Sequence, residues 1–201
     1  MRNCRGKEHV LVLGPNLRSL IDPLQDSGCT VDVSHDPLGE VNADWIVSFG
    51  YRHIIKEPHL SRFAGRMLNI HISVLPWNRG ADPNLWSWYD DTPRGVSIHW
   101  IDKGIDTGPL LAQRAVALDP DAHTLRTSHA ALVKFAAEFF ADVWLKFRCR
   151  EPVAIPQTGP GSFHRVSDGK PLWAQLPLGY DTPCRDVMTM GARARAKAAA
   201  A

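Results

Sequence analysis

The chain has 201 residues, 44% of them hydrophobic and 22% charged, and a formal net charge of +2. Its length suits one full-sized domain with or without a short appendage, and its composition excludes global disorder. The balanced charge argues against nucleic-acid binding through bulk electrostatics, and the longest apolar run, 130–140, is broken by Lys134 and Glu138, so no segment spans a bilayer.

The N-terminus is charged and carries only a short apolar run before Gly14, which is not the pattern of a secretory signal. A cytoplasmic location is therefore expected. The run 9–14 predicts a central parallel strand covered on both faces. Leu17, Leu20, Ile21 and Leu24 follow at helical spacing, and Ser27-Gly28 ends that helix. Further strands are predicted over 30–33, 44–49 and 67–70, with a helix over 56–63 that carries Pro58 in its first turn. Strands separated by helical stretches imply right-handed crossovers and a parallel sheet.

The middle of the chain reads differently. Strands are predicted over 95–101 and 109–117, and the few residues between them cannot hold a crossover helix, so the pair should be antiparallel. Leu125, Leu132, Phe139, Val143 and Phe147 mark one face of a long helix over 124–147 that would dock on the sheet. The predicted organisation is a main α/β domain over 1–150, a Pro- and Gly-rich extension over 151–190 packed on it, and a disordered Ala/Arg-rich tail over 191–201. Cys4, Cys29, Cys149 and Cys184 are widely spaced, with no C-x-x-C pair to suggest a metal, so reduced and mostly buried thiols are expected.

The densest chemistry lies in Asn69-Ile70-His71-Ile72-Ser73 and the residues that follow. Asn69 and His71 are two apart on a strand, so they share a face at its carboxyl end, where open α/β sheets place ligands. The second cluster is 102–108, a tight loop with Gly104 and Gly108 flanking Asp106. An amide, a histidine and a carboxylate suit acyl transfer to an amine. His71 and Asn69 would donate to a developing oxyanion, and Asp106 would accept the amine proton. Nine histidines and 21 acidic residues permit many such trios, so the residue types alone do not decide the reaction.

Together, Asn69-Ile70-His71, Leu75-Pro76, Arg79-Gly80, Gly95-Val96 and Gly104-Ile105-Asp106-Thr107-Gly108 resemble the signature of the folate-dependent formyltransferases. The resemblance is close over 44–113 and loose over the first strand. It implies an α/β fold with a Rossmann-like, mostly parallel sheet, helices on both faces and an antiparallel strand pair on the C-terminal side. It also implies 10-formyltetrahydrofolate as formyl donor, no metal, and Asn69, His71 and Asp106 as the catalytic residues. The donor's pterin would sit between Tyr51, Arg52, His53, Ile54 and Ile55 on one side and Asp102, Lys103, Gly104 and Ile105 on the other. The chain departs from the family where Ile72 replaces a common proline and Lys103 a common acid, changes that bear on substrate or loop geometry.

The resemblance implies a small-molecule amine as the acceptor. The stretch 75–88 is similar to small single-domain sugar N-formyltransferases, which implies a nucleotide-linked amino sugar or another amine of polysaccharide or secondary metabolism. Ser73, Trp77, Asn78, Arg79 and Gly80 are the expected acceptor residues, with Trp77 available for stacking and Arg79 for a phosphate or carboxylate. Trp86, Trp88 and His99 are assigned to packing; for His164, framing the acceptor and forming a surface turn stay open. Glycinamide ribonucleotide is the alternative acceptor, weakened because Pro15 removes an amide donor from the loop after the first strand. Methionyl-tRNA fits least, given the small positive charge and the length. The same residue trio also suits a formyltetrahydrofolate hydrolase, and folate binding without turnover stays open as well. A homodimer is left open.

Overall fold

The apolar run after His9 forms the strand it predicts, and Val10, Val12 and Leu13 are fully buried within it. The computed structural model describes residues 7–149 and 152–200. In chain order the elements are β1 (His9–Leu13), α1 (Arg18–Asp26), β2 (Thr30–Ser34), β3 (Trp45–Phe49), α2 (His59–Arg62), β4 (Met67–His71), β5 (Arg79–Gly80), α3 (Pro83–Tyr89), β6 (Gly95–Trp100), β7 (Leu110–Ala115), α4 (Leu125–Cys149), β8 (Phe163–His164), α5 (Val166–Trp173) and α6 (Cys184–Ala199). The predicted helix over 56–63 contracts to the single turn α2, with Pro58 just ahead of it. No helix among the described residues is long and apolar enough to cross a membrane.

Six strands form one mixed sheet in the order β2-β1-β3-β4-β6-β7. The pairs β1–β2, β1–β3 and β3–β4 are parallel, and β6 joins β4 antiparallel. At one end of the β6–β7 pair Trp100 N–H donates to Pro109 O, and at the other Val116 N–H donates to Arg94 O, so these strands also run antiparallel. Every residue of β3 is buried, which is why it reads as an unbroken apolar run rather than an alternation.

The chain divides into two compact units, Met1–His71 with Ser97–Ala112 and Lys134–Gln157, and Ile72–Val96 with Gln113–Val133 and Thr158–Ala201. The division interleaves along the sequence, in contrast to the expected split at 150. In the first unit Trp144 is almost fully buried, lies edge-on to Trp45 at 5.4 Å and donates its indole N–H to Ser27 Oγ at 3.0 Å. Cys29 is buried and free, as is Cys184 of the second unit, but Cys149 is disulfide-bonded, contrary to the expectation of reduced thiols.

The second unit corrects the expectation of an extended, unstructured C-terminus. Residues 166–173 form α5, and α6 carries helix from Cys184 to Ala199 through the segment expected to be disordered. The Ala- and Arg-rich composition has high helix propensity. The helix is anchored where Cys184, Val187 and Gly191 are buried, and Cys184 and Val187 join a core with Leu85, Trp86, Trp88 and Leu172. Arg195 adds a hydrogen bond to the carbonyl of Tyr89.

Candidate active site

The first unit contains Asn69, His71 and Asp106, and it brings their side chains together. Asn69 and His71 lie on β4, two residues apart, and share a face. Asn69 Nδ2 donates to Asp106 Oδ1 at 3.1 Å, and His71 Nδ1 stands 3.6 Å from Asp106 Oδ2. The second distance is too long for a direct hydrogen bond and short enough for an ion pair. Asp106 reaches them from the loop between β6 and β7, with its backbone in the left-handed region at φ 54°.

A fourth residue belongs to this cluster, and its place differs from the packing role expected for it. His99 lies opposite Asn69 in the β4–β6 register, and its side chain is 2% exposed. Its Nδ1 is 2.8 Å from the carbonyl of Trp100, which can only accept, so Nδ1 carries the proton. In the neutral ring Nε2 is then an acceptor, 3.2 Å from Asn69 Nδ2. The same Nε2 stands 3.4 Å from Asp106 Oδ1, an approach that becomes attractive when His99 is protonated. Both Nδ2 hydrogens of Asn69 are thus engaged, one with His99 and one with Asp106. A signal for His99 was present in the sequence. Ser97 and His99 are a polar pair two apart on β6, as Asn69 and His71 are on β4, and antiparallel register sets the two pairs against each other.

The loop carrying Asp106 is built from its own polar groups. Asp102 Oδ1 accepts from the Gly104 N–H at 3.0 Å and the Thr107 hydroxyl at 2.6 Å. Gly108 lies so close to the end of β6 that a Cβ there would stand 1.8 Å from the Trp100 carbonyl oxygen. Only glycine permits this approach.

The expected donor-binding residues also lie in the first unit. Tyr51, His53, Ile54 and Ile55 line a groove of about 510 Å³ together with Leu38, Lys56 and Arg62, and the groove takes in neither Asn69, His71 and Asp106 nor 102–105. The Tyr51 hydroxyl donates to Asp36 O at 2.6 Å, which fixes the loop, and burial raises its pKa. Arg52 and Lys103 are exposed. Ile54 and Ile105, one from each expected pterin loop, are 67% and 45% exposed.

The expected acceptor residues lie in the second unit. Ser73 and Asn78 are fully buried there, and their groups serve the loop itself. Ser73 Oγ donates to Trp77 O at 2.7 Å, while Asn78 Nδ2 donates to Thr92 Oγ1 at 2.7 Å and its Oδ1 accepts from Ser162 Oγ at 3.2 Å. The side chains of these two residues are thus taken up by the loop's own hydrogen bonds. Gly80 has a similar part. It sits at φ 89°, and a Cβ there would meet the His164 carbonyl oxygen at 2.3 Å where β5 pairs with β8. Trp77 and Arg79 are part-exposed.

His164 is half-buried in this unit and lies on the short strand β8 rather than in a turn. Its ring stacks on Trp86 at 3.9 Å and 6°, and its Nε2 is 3.2 Å from Asp90 Oδ2. Burial lowers the His164 pKa and raises that of Asp90, in each case outweighing the attraction between them. The pair therefore tends toward neutrality.

Residues 14–143 match the family model described as formyl transferase. The chain belongs to the formyl transferase family. Its mixed six-stranded sheet is the formyltransferase fold, shared with the formyltransferase PseJ from Anoxybacillus kamchatkensis. That structure superposes with a TM-score of 0.85 at 39% identity, covering 91% of this chain and 99% of that one. It was solved in complex with UDP-4,6-dideoxy-4-formamido-L-AltNAc and tetrahydrofolate. A 4-N formyltransferase from Francisella tularensis, 18% identical, shares the fold with a TM-score of 0.70 over 83% of this chain and 79% of its own. Among curated relatives, the methionyl-tRNA formyltransferase of Elusimicrobium minutum (strain Pei191) is 35% identical over 155 residues, 76% of this chain and 45% of its own length. The chain thus spans less than half the length of that curated relative. Its formyltransferase signature nevertheless extends from the sheet into the loop that carries Asp106.

Proposed function

We propose that this formyltransferase moves a formyl group from 10-formyltetrahydrofolate to the primary amine of a nucleotide-linked amino sugar. The observation that carries the reading is the likeness to the Anoxybacillus enzyme over nearly its full length. The small net charge of +2 supports a small-molecule acceptor over a nucleic acid. A cytoplasmic location is part of the same proposal.

The folate donor supplies an electrophilic formyl carbon. Exposed Ile54 and Ile105 suit it, because an apolar ring removes their side chains from water. His71 donates a hydrogen bond to the formyl oxygen as it gains charge. Asn69 adds a second by turning toward that oxygen the Nδ2 hydrogen now given to Asp106, while His99 keeps hold of the other. Asp106 accepts the proton that the amine gives up on bonding to carbon and returns it to the donor's nitrogen as the carbon–nitrogen bond to the folate breaks, so that tetrahydrofolate leaves neutral. His99 holds the Asn69 amide with its nitrogen toward Asp106. Trp77 and Arg79, a few residues beyond His71 in the chain, take the acceptor's ring and its phosphate.

The test is turnover of 10-formyltetrahydrofolate with UDP-4-amino-4,6-dideoxy-L-AltNAc, glycinamide ribonucleotide and methionyl-tRNA in parallel, followed by tetrahydrofolate release and mass of the product. Formylation of the UDP-sugar is expected. Formylation of either other amine alone would move the acceptor assignment, and formate released without any amine would identify a hydrolase.

His99→Phe keeps the ring and removes both nitrogens. The loss of a buried partner, about 1–3 kcal/mol, should lower kcat roughly ten- to hundredfold if it is felt in the transition state. A kcat within twofold of the parent enzyme would return His99 to packing.

A further inference from the structure

Asp106 has φ 54°, a conformation that a residue with a side chain holds only when its surroundings fix it. The backbone on both sides of it is tied to one side chain from the far end of the chain. Gln157 Nε2 donates to Asp106 O at 2.9 Å and to Gly108 O at 2.8 Å, so both amide hydrogens grip the loop. Gln157 is placed by its own short strand pairing, since Ile155 N–H donates to Leu110 O and Leu110 N–H to Ile155 O, each at 2.8 Å. Residues 152–157 thus belong to the frame of the catalytic loop, although the sequence suggests only a proline-rich extension.

We infer that Gln157 is a positioning residue for Asp106: its two hydrogen bonds hold the loop in the left-handed turn that aims the carboxylate at Asn69 and His71. Gly108 cannot yield on the far side, because it is packed against the Trp100 carbonyl. With the Gln157 bonds gone, the slack appears at Asp106, whose backbone relaxes toward the right-handed region and draws the carboxylate from β4. A displacement of about 1 Å in a reacting group is enough for a roughly hundredfold loss of rate. This rests on the reading of Asp106 as the proton acceptor.

Gln157→Glu is nearly isosteric, yet its ionised carboxylate donates nothing and faces two carbonyl oxygens. Measured with 10-formyltetrahydrofolate and UDP-4-amino-4,6-dideoxy-L-AltNAc at pH 8, it should lower kcat between about ten- and a hundredfold, with the acceptor KM nearly unchanged. The deficit should narrow as pH falls, because the protonated acid regains one donor. Gln157→Ala should show a similar loss that does not narrow at low pH, and it serves as the second variant should the acid impair folding. In an Asp106→Asn background, Gln157→Ala should add almost nothing, since it acts through the missing carboxylate.

A kcat at pH 8 within twofold of the parent enzyme for both variants, or a full further loss in the Asp106→Asn background, overturns the inference. If Asp106→Asn is inactive and the Gln157 variants are silent, only this inference falls. If Asp106→Asn retains full activity, the reading of Asp106 falls first and takes this inference with it.

Discussion

Asp106→Asn should lower kcat by about two to four orders of magnitude while the KM for 10-formyltetrahydrofolate stays within several-fold. The substitution keeps the shape of the side chain, so the loop geometry set by Asp102, Gly108 and Gln157 has no reason to change. What is lost is the capacity to take a proton. The parent carboxylate is well placed for that task, with its side chain 12% exposed, His71 Nδ1 at 3.6 Å on one oxygen and Asn69 Nδ2 at 3.1 Å on the other. A carboxylate this far removed from water is tolerable because an amide and two imidazoles surround it. Two effects compete in the variant. Removing a buried charge relieves desolvation and favours folding, whereas losing the proton acceptor raises the barrier. Stability should therefore be kept or gained while rate is lost, read by a thermal melt beside steady-state kinetics. A variant with parental kcat would remove Asp106 from the chemistry, and one that loses kcat and melting temperature together would make its role structural.

Local pattern and long-range placement were legible to different degrees. β1, β3 and α1 could be read because the two strands are continuous apolar runs that end at Gly14 and Gly50, and the apolar residues of α1 recur at helical spacing up to Ser27-Gly28. Asn69 and His71 share a face by strand alternation alone. Asp106 could not be joined to them by spacing, since 37 residues separate it from Asn69; the family resemblance supplied it. His99 was missed because one strand does not reveal which face of its neighbour it meets. Gln157 was missed for a related reason. Its partners lie 49 and 51 residues away, and nothing within its own segment marks it. The C-terminal helix was missed because low complexity suggests disorder, and the buried side of α6 becomes visible only with its packing partners in place. Asn78 is a different case: its position beside Trp77 and Arg79 suggests an acceptor contact, and its side chain is also placed to hold the loop together.

Asn78 therefore separates holding the loop from touching a ligand, and the separation can be measured. It is 0% exposed and sits at φ 55°, donating to Thr92 Oγ1 and Ser73 Oγ and accepting from Ser162 Oγ. Its own N–H donates to Ser162 Oγ at 2.8 Å, a bond that survives any side-chain change. Asn78→Gly removes the amide and leaves the backbone at ease, so its cost is that of the broken buried bonds, about 1–3 kcal/mol. Asn78→Ala removes the same bonds and adds the left-handed strain of a Cβ, roughly 1–2 kcal/mol more. Alanine should thus be the less stable of the two, although in a helix or strand it is the better residue. At roughly 2–4 °C of melting temperature per kcal/mol for a chain of this length, the difference between the variants is resolvable. Under the reading that Trp77 and Arg79 hold the acceptor, both variants should also raise the acceptor KM, since they loosen the segment that presents those side chains. A glycine variant less stable than the alanine variant would sink the backbone argument. A normal melt combined with a raised acceptor KM would instead return Asn78 to the acceptor's surface.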